Sequence, residues 1–438
     1  MTSMNRNTGS FRDPSGHVYE DGNRILRSVN SGYREDFEYF QSSGLADFLI
    51  EKGWILPFKE IDAPIPGSWK TLEVPRLPLI SYPYEWSIGQ LRAAAVLTLR
   101  IQQEALRHGM VLKDATAYNV QFFEGRPVFI DLLSFERYQP GTPWNAYKQF
   151  VSFFLGPLLL MSLKDVRYGL DFRNYLDGFP LDFVSQGLPW HTRWSPSLYI
   201  HIHWHAAMLR KYEDTRDLKN RPISTKSLSQ KGLEHLIESL LDCVKHIRVP
   251  KLTTEWGDYY NDTNYTDAAF STKKEIVAEL TKRVEPLIVC DLGANRGDFS
   301  RIFAQYAQVV LSPDIDPVAV QTNYSITREK KEKNIYPLVI DLCNPSPGIG
   351  WHNTERKSFL DRAHCDLAAG LALIHHLCIG NNLPLEYVAK LFADLAPTAI
   401  VEFVPKGDSQ VDRLLSSRED IFPDYTLASC LAAFGQFY

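Results

Sequence analysis

From about residue 286 onward, short runs of consecutive apolar residues alternate with longer stretches in which apolar residues recur at helical spacing. Continuous apolar runs predict strands that are buried on both faces, and the stretches between them predict helices. The predicted strands are PLIVCDL, QVVLSPDID, IYPLVIDL, HCDLAAG and APTAIVEFV. Strands that alternate with helices in this way indicate an α/β domain with a doubly wound parallel sheet.

The first half of the chain has a different pattern. Residues 88–109 carry apolar residues at helical spacing, and residues 15–29 form two strand-like runs around the turn DGN. These patterns predict a long helix and a short hairpin, which together indicate a domain of the α+β class. The apolar stretch 150–163 is too short to span a bilayer and contains Pro157, so it predicts a buried, kinked helix.

A polar stretch, residues 211–232, separates the two patterns and is followed by the helix-like run LEHLIESLLDCVKHI. Such a composition shift is typical of a connection between domains. We therefore expect an N-terminal domain over residues 1–210, with a small lobe to about residue 85 and a helical part after it. A linker and connecting helix over 211–255 and a C-terminal domain over 256–438 complete the predicted organisation.

Composition narrows the class of protein. Hydrophobic residues make up 45% of the 438 residues and charged residues 23%, as in ordinary globular proteins, and the net charge is −5. No block of basic residues predicts a nucleic-acid partner, and no segment is long and apolar enough to predict a membrane span. The start of the chain does not have the pattern of a signal peptide, and six cysteines show no metal or disulfide spacing. A cytoplasmic location with reduced cysteines is therefore expected.

The loop DLGANRG after the first predicted strand of the C-terminal domain is the clearest candidate site. In doubly wound sheets the ligand lies at the carboxyl ends of the strands, where this loop is placed. Gly293 and Gly297 let a ligand approach the backbone closely, and the next helix offers free N–H groups. Asp314 ends the second strand at a spacing from Asp291 that suits a carboxylate bound to ribose hydroxyls. An acidic residue beside the loop would repel phosphate but would favour a cationic ligand.

These motifs resemble those of class I S-adenosylmethionine-dependent methyltransferases. DLGANRG is similar to the first motif of that family, VVLSPDID to the second, VIDL to the third and CDLAAGLALIHHL to the fourth. The resemblance implies a Rossmann-like methyltransferase sheet and S-adenosylmethionine as cofactor. The cofactor-binding residues that it implies are Asp291, Gly293, Asn295 and Gly297 near the methionine part, Asp314 at the ribose, and Asp341 and Leu342 at the adenine.

An aromatic segment precedes the first strand of this domain. Residues 254–270 contain Trp256, Tyr259, Tyr260 and Tyr265, and aromatic rings can enclose a sulfonium through their negative faces. We expect Tyr265 to contact the cofactor. The alternative is that these rings only pack the linker against the sheet.

The acceptor of the methyl group is not specified by a motif. His375 and His376 follow the fourth predicted strand, where a histidine could act as a general base, with His375 slightly favoured. The alternative is that one histidine caps the turn and the other packs inside. Glu402 and Lys406 are further candidates at the same edge. The acceptor motif for DNA or amide methylation is not present, so a small-molecule or glycan-type acceptor is expected. The family's closing strand hairpin is also not predicted, since 34 residues follow the fifth strand run.

The N-terminal domain contains a string that resembles kinase-like phosphotransferases. Asp114 and Asn119 stand five residues apart, and two strand-like runs around EGRP lead to Asp131. In such enzymes these positions orient the attacking hydroxyl and hold Mg²⁺, and Arg27 would stand where the phosphate-binding lysine lies. The resemblance implies ATP and Mg²⁺ as ligands. No glycine-rich loop is present and Arg27 replaces lysine, so a kinase-like scaffold without phosphotransfer is preferred. A third interpretation is an unrelated fold in which these residues serve turns and caps.

His201, His203 and His205 stand two residues apart. On a strand they would share one face and could bind a metal, whereas on a helix they would be dispersed. No nearby carboxylate or cysteine completes a set of ligands, so no metal site is expected.

Taken together, the order of modules resembles a bacterial family that includes rhizobial host-specific nodulation proteins of the NoeA type. The strings that carry this resemblance include SFRDPSGHVY, GYREDFEYFQSSGL, LKDATAYNVQF and PWNAYKQF. The resemblance implies a role in host-specific nodulation. Two hypotheses remain: a methyltransferase whose N-terminal half recognises the acceptor, and a catalytically idle scaffold that binds or regulates a partner.

Overall fold

The computed structural model describes residues 4–62, 65–213, 228–250, 267–416 and 419–438. The chain divides into two compact units. The first comprises residues 1–251 together with 349–356, and the second comprises 252–348 and 357–438. A short piece of the C-terminal sequence therefore belongs to the first unit.

The first unit begins with an antiparallel sheet of five strands in the order β1-β2-β3-β5-β4. The strands are β1 (Asn5–Arg6), β2 (Val18–Asp21), β3 (Arg24–Asn30), β4 (Lys59–Ile61) and β5 (Ser68–Val74). β2 and β3 form the predicted hairpin, and Gly22 in its turn has a φ of +59°, which glycine adopts without strain. Two helices, α1 (Arg34–Ser42) and α2 (Leu45–Glu51), follow β3.

The rest of the first unit is mainly helical and is built on α3 (Ile88–Arg107). Ser87 caps this helix by accepting a hydrogen bond from the Gln90 amide, and most of its apolar side chains are buried. Four short strands follow α3 and pair as two antiparallel ribbons, β6 with β9 and β7 with β8. They are β6 (Met110–Leu112), β7 (Val120–Phe123), β8 (Arg126–Phe129) and β9 (Phe135–Arg137).

The apolar stretch 150–163 is a buried helix, as predicted, but its irregularity begins before Pro157. A π-helical turn, Val151–Leu155, connects α4 (Tyr147–Phe150) to α5 (Gly156–Leu163). The remaining α-helices described in this unit are α6 (Leu181–Gly187), α7 (Pro196–Leu198), α8 (His205–Glu213) and α9 (Gln230–His246). None of the described helices combines the length and apolar character needed to cross a bilayer.

The second unit contains a five-stranded parallel sheet, which confirms the predicted α/β fold. Its strands are β10 (Ile288–Leu292), β11 (Val309–Asp314), β12 (Ile335–Val339), β13 (Leu367–Gly370) and β14 (Ala399–Val401). They lie in the order β12-β11-β10-β13-β14, so the order reverses beside the first strand, as in other doubly wound sheets. Apolar side chains such as Val289, Val310 and Leu367 are fully buried between the sheet and its helices.

The helices of the second unit connect and cover these strands. They are α10 (Asp267–Val284), α11 (Ser300–Phe303), α12 (Pro317–Lys330), α13 (Phe359–Arg362), α14 (Leu385–Leu395), α15 (Ser409–Leu415) and α16 (Leu427–Phe434). Among the described residues after β14, the regular elements are the helices α15 and α16, and no strand extends the sheet.

Candidate active site

A cavity of about 200 Å³ lies in the second unit at the carboxyl ends of the parallel strands. The residues that follow β10, β11, β12 and β13 all contribute to its wall. The predicted residues that line it are Asp291, Gly293, Asn295, Asp314, Asp341, Leu342 and His376. The structure therefore brings together side chains from four separate strand ends at the place where such sheets bind ligands.

The loop between β10 and α11 forms one wall, and its backbone is shaped by residues with positive φ. Gly293 has a φ of +71° and Asn295 a φ of +51°. The amides of Gly293 and Ala294 both donate to the Pro313 carbonyl at 3.0 Å, which ties the loop to the end of β11. A Cβ on Gly293 would lie 3.1 Å from Leu373 Cδ1, so the glycine keeps this part of the cavity open.

Asp291 lines the cavity and is only 2% exposed. Its carboxylate accepts a hydrogen bond of 2.6 Å from the Ser300 hydroxyl, which in turn contacts Ser312 at 2.7 Å. Burial, together with the nearby charge of Asp314, raises the pKa of Asp291 to about 7, although the Ser300 hydrogen bond opposes this shift. A carboxylate held at this cost favours a ligand that carries positive charge.

Asp314 ends β11 and is fixed by the backbone. Its two carboxylate oxygens accept hydrogen bonds from the amides of Asn295, at 2.7 Å, and Asp316, at 2.8 Å. Burial raises its pKa to about 6, against the effect of these hydrogen bonds. Asp341 follows β12 and accepts a hydrogen bond of 2.8 Å from the Cys343 amide. Both side chains are therefore held in one orientation towards the cavity before any ligand binds.

Another part of the cavity wall comes from α10 and was missed by the sequence analysis. Phe270 and Lys273 line the cavity with Phe299, and the two rings meet edge to face at 5.8 Å. Lys273 Nζ lies 2.7 Å from Glu402 Oε2 and 4.9 Å from the centre of the Phe299 ring. Phe270 ends the aromatic segment that the sequence indicated, but nothing in the spacing of α10 showed that its first turns face the site.

The two candidate catalytic histidines occupy different positions. His376 lines the cavity and begins a π-helical turn, His376–Gly380, whereas His375 is 1% exposed and is not part of the wall. Neither ring nitrogen of His375 has a hydrogen-bond partner among the described residues. Burial lowers the pKa of His375 to about 4 and that of His376 to about 3. Both imidazoles are therefore neutral at pH 7, and His376 is positioned to accept a hydrogen bond.

Several other predicted residues lie away from the cavity wall. Gly297 is not in the lining, and a Cβ there would lie within 2.4 Å of Asn323, so this glycine serves close packing between the loop and α12. Lys406 pairs with Asp420 at 2.7 Å. Tyr265, with Trp256, Tyr259 and Tyr260, lies outside the described residues. Their assignment as cofactor contacts stays a prediction.

In the first unit, the kinase-like residues form a closed polar cluster. Arg27 on β3 forms an ion pair with Asp131, which follows β8, and Asp131 also accepts a hydrogen bond from Ser134. Burial opposes ionisation of Asp131, but Arg27 and these hydrogen bonds hold its pKa below the usual value. Burial, with the charge of Asp131, raises the pKa of Asp114. Asn119 donates to the Ser134 hydroxyl at 3.4 Å. The positive charge beside Asp131 is thus supplied by the Arg27 side chain.

The three histidines at 201–205 lie on a helix, in a π-helical segment, Tyr199–Trp204, and at the start of α8. His201 contacts the hydroxyls of Tyr147, at 2.8 Å, and Ser239, at 3.0 Å. His203 contacts those of Ser185, at 2.8 Å, and Thr192, at 2.9 Å. Their partners are neutral hydroxyls, and the described ranges contain no group of three or more potential metal-ligating side chains.

One relative covers almost the entire chain. The nodulation protein NoeA of Rhizobium meliloti (strain 1021) is 36% identical over 439 residues, which represent 98% of this chain and 91% of the relative. No protein-family model matches the chain.

Solved structures align with parts of the chain at low similarity. Magnesium protoporphyrin IX methyltransferase (ChlM) from Synechocystis PCC 6803 with bound SAH is 18% identical over 41% of this chain and 80% of its own, with a TM-score of 0.28. The bifunctional kinase-methyltransferase WbdD is 19% identical over 36% of this chain and 33% of its own, with a TM-score of 0.26. Vaccinia related kinase 3 is 12% identical over 56% of this chain and 91% of its own, with a TM-score of 0.29. With TM-scores this low, the fold assignment rests on the strand order described above.

Proposed function

The chain belongs to the family of the nodulation protein NoeA, and from this premise we propose that its second unit binds S-adenosylmethionine and transfers the methyl group to an acceptor. The acceptor in this proposal is a small molecule or a glycan-type molecule. The name of the relative supports a role in nodulation, and we propose that this role is host-specific and that the methylated product is a signalling or surface molecule.

One observation carries the proposal: the carboxylates at the carboxyl ends of three neighbouring parallel strands, Asp291, Asp314 and Asp341, line a single cavity whose loop is opened by Gly293. The donor set fits the cofactor, because buried carboxylates favour its positive charge and accept hydrogen bonds from its ribose hydroxyls and amino groups. When bound, S-adenosylmethionine supplies a methyl group on a cationic sulfur that accepts an electron pair from a nucleophile.

Different residues of the cavity wall would bind different parts of the cofactor. Asp314 would accept hydrogen bonds from ribose hydroxyls, and the apolar side chains of Ile315 and Leu342 would pack on the adenine beside Asp341. Gly293, with Asp291 beneath it, would admit the methionine part close to the backbone. These assignments use only side chains that line the cavity.

The side of the cavity that binds the methyl acceptor would be formed by α10 and the π-helical turn His376–Gly380. His376 presents a neutral imidazole to the cavity, and its low pKa favours orientation of the nucleophile through a hydrogen bond over removal of its proton. His375 stays a candidate that acts behind His376, since their ring centres are 4.0 Å apart.

Isothermal titration of the full chain with S-adenosylmethionine tests the proposal. We expect saturable binding in the micromolar range, and we expect Gly293→Arg to abolish it because the side chain would fill the cavity beside Leu373. Gly32→Arg is the matched control, since a Cβ at Gly32 meets nothing within 4 Å and the residue lies in the first unit.

The scaffold hypothesis makes the opposite prediction. If wild-type protein that is folded by circular dichroism gives no heat at millimolar S-adenosylmethionine, the result would support a catalytically idle second unit. The same spectra should show that both variants are folded. Binding that survives Gly293→Arg would place the cofactor elsewhere and would overturn the site assignment.

For the first unit we propose a kinase-like scaffold without phosphotransfer. The supporting observation is the ion pair of Arg27 with Asp131, because the residue that would hold Mg²⁺ is already neutralised by a side chain of the same unit. Titration with ATP and Mg²⁺ should therefore give no saturable heat. Binding that is lost in Asp131→Ala would establish the alternative, a nucleotide-binding phosphotransferase.

A further inference from the structure

The first unit exposes an unusual number of large apolar side chains in one short stretch. Trp190 is 69% exposed, Trp194 78% and Trp204 51%, and Tyr199 and Ile200 are 45% and 52% exposed. We refer to these five residues as the aromatic patch. Single exposed apolar residues are ordinary, but a grouping of three tryptophans marks an interaction surface.

The aromatic patch lies on two short helical elements that are connected by a buried hydrogen bond. Trp190 and Trp194 belong to the 3₁₀ helix Trp190–Trp194, and the other three residues belong to the π-helical segment Tyr199–Trp204. The rings of Trp190 and Trp194 meet edge to face at 6.0 Å. His203 links the elements, because its buried imidazole contacts the Thr192 hydroxyl of the first while it belongs to the second.

This arrangement departs from the usual distribution of polar and apolar residues. In the segment Tyr199–Trp204, His201 and His203 are buried at 2% and 6% exposure, while the neighbouring Ile200 and Trp204 face solvent. A surface helix of a soluble protein normally buries its apolar side chains and exposes its polar ones. The chain thus retains two buried histidines, each hydrogen-bonded to hydroxyls, in a segment that buries Ile202 but exposes its other apolar residues, Tyr199, Ile200 and Trp204.

Within the stretch of chain that carries the patch, the charged side chains have one sign. From residue 183 to residue 212 the chain contains no aspartate or glutamate, although its net charge is −5. The cations of this stretch are Arg193, Arg210 and Lys211, and all three are exposed. Tryptophan and tyrosine beside arginine and lysine is the combination that suits the headgroup region of a bilayer. The exposed cations of this stretch favour an anionic surface, and the exposed carboxylates nearby, Glu238 and Asp242, belong to the neighbouring helix α9.

We propose that the aromatic patch docks this protein reversibly on the surface of an anionic phospholipid bilayer. The rings and Ile200 would enter the boundary between headgroups and acyl chains, and Arg193 and Arg210 would contact lipid phosphates. Apolar and electrostatic contacts would act together, as peripheral attachment requires when no segment is inserted across the membrane. This inference is independent of the proposed methyl transfer, since it concerns the first unit alone.

Vesicle flotation of the full chain tests the docking surface. Wild-type protein should float with vesicles of equal parts phosphatidylglycerol and phosphatidylcholine and much less with phosphatidylcholine alone. The double variants Trp190→Ser/Trp194→Ser and Ile200→Ser/Trp204→Ser should each lower the partition coefficient by about tenfold or more. Trp351→Ser is the matched control, because Trp351 is 71% exposed but lies outside the patch, and it should bind as wild type does.

Tryptophan fluorescence provides the second readout, with a blue shift on addition of the anionic vesicles that is reduced in both double variants. The proposal is overturned if wild-type protein stays with the soluble fraction, or if neutral vesicles bind it equally well. It is also overturned if folded double variants float as wild type does. Two other outcomes would also overturn the proposal. If the patch variants still float but no longer form dimers, the surface binds a second copy of the chain. If they still float but are no longer retained on a neutral polysaccharide matrix, the surface binds a glycan.

Discussion

At the scale of single residues, the most informative side chain is Asp291. It is almost fully buried, and no cation among the described residues forms a direct ion pair with it, although Lys273 lies close enough to oppose the rise of its pKa. Ionisation of a carboxyl group that is buried without an ion-pair partner costs free energy, and a cation that binds beside it offsets this cost.

The first prediction follows from the raised pKa. The affinity for S-adenosylmethionine should increase by up to about tenfold per pH unit as the pH rises towards 7 and should level off above it, because binding favours the ionised form of Asp291. Asp291→Asn should bind more weakly at pH 8 and should show a flatter pH dependence. Titration calorimetry between pH 5.5 and pH 8 measures both. Asp394→Asn, which changes an exposed carboxylate on α14, should behave as wild type.

The same residue predicts how the stability of the ligand-free protein depends on pH. The folded pKa of about 7 lies above the ordinary value of 3.8, so the folded state keeps a proton that the unfolded state has lost. The contribution of Asp291 to the free energy of unfolding is therefore fully present below pH 3.8 and is lost as the pH rises through 7, at no more than about 1.4 kcal/mol per pH unit.

Urea unfolding of wild type and Asp291→Asn at several pH values isolates this contribution. The stability of the asparagine variant relative to wild type should improve steadily between pH 4 and pH 7, the two values that bound the shift. A constant difference across that window would show that the Asp291 carboxyl titrates normally in the folded protein.

At the scale of elements, the ion pair between β3 and the residue after β8 fixes the first unit. Arg27 and Asp131 have side chains that are 11% and 15% exposed, so removal of either partner leaves a charge in a largely buried position. Asp131→Ala should lower the free energy of unfolding by about 3 kcal/mol. The double variant Arg27→Met/Asp131→Leu should recover most of that loss, because neither charge remains. Chemical unfolding curves of the three proteins provide the comparison.

A control for this prediction lies on the same strand. Arg24 on β3 pairs with Glu73 on β5 at 2.9 Å, but both side chains are well exposed. Glu73→Ala should leave the unfolding midpoint close to that of wild type, since exposed ion pairs contribute little. If Glu73→Ala and Asp131→Ala destabilised the protein equally, burial would not explain the importance of the inner pair.

The elements also show how far the sequence determines the fold. The strands of the second unit could be predicted because each is a run of apolar residues, and an example is Ile288–Leu292 before Gly293. The histidines at 201–205 illustrate the opposite case. Their alternation has a period of two, which is compatible with a strand, but tertiary packing against Tyr147 and Ser185 selects a helix.

The candidate site was predictable where its residues stand at or just after the carboxyl ends of strands, since the ends of parallel strands meet at one edge. This holds for Asp291, Asp314 and Asp341. Lys273 could not be found in this way, because the rotation of α10 about its axis is set by packing and not by local sequence. The pairing of Arg27 with Asp131 was also beyond local patterns, since the two residues are 104 positions apart.

At the scale of the whole molecule, the boundary between units is not a single point in the sequence. Residues 349–356 lie within the C-terminal sequence but belong to the first unit. There Glu355 is 4% exposed and pairs with Arg12 at 2.9 Å, and Arg356 lies 4.4 Å from the centre of the Tyr118 ring. Because this segment is polar and contains few apolar residues, its sequence does not show which of the two units it belongs to.

The proposed function requires that the cavity at the carboxyl ends of β10 to β13 holds S-adenosylmethionine. The most direct measurement is a crystal structure of the full chain soaked with S-adenosylhomocysteine. We expect ligand density in this cavity, with the backbone of Gly293 on one side and the carboxylates of Asp314 and Asp341 in hydrogen-bond contact. Density at another place, or a cavity that stays empty at saturating ligand, would contradict this assignment.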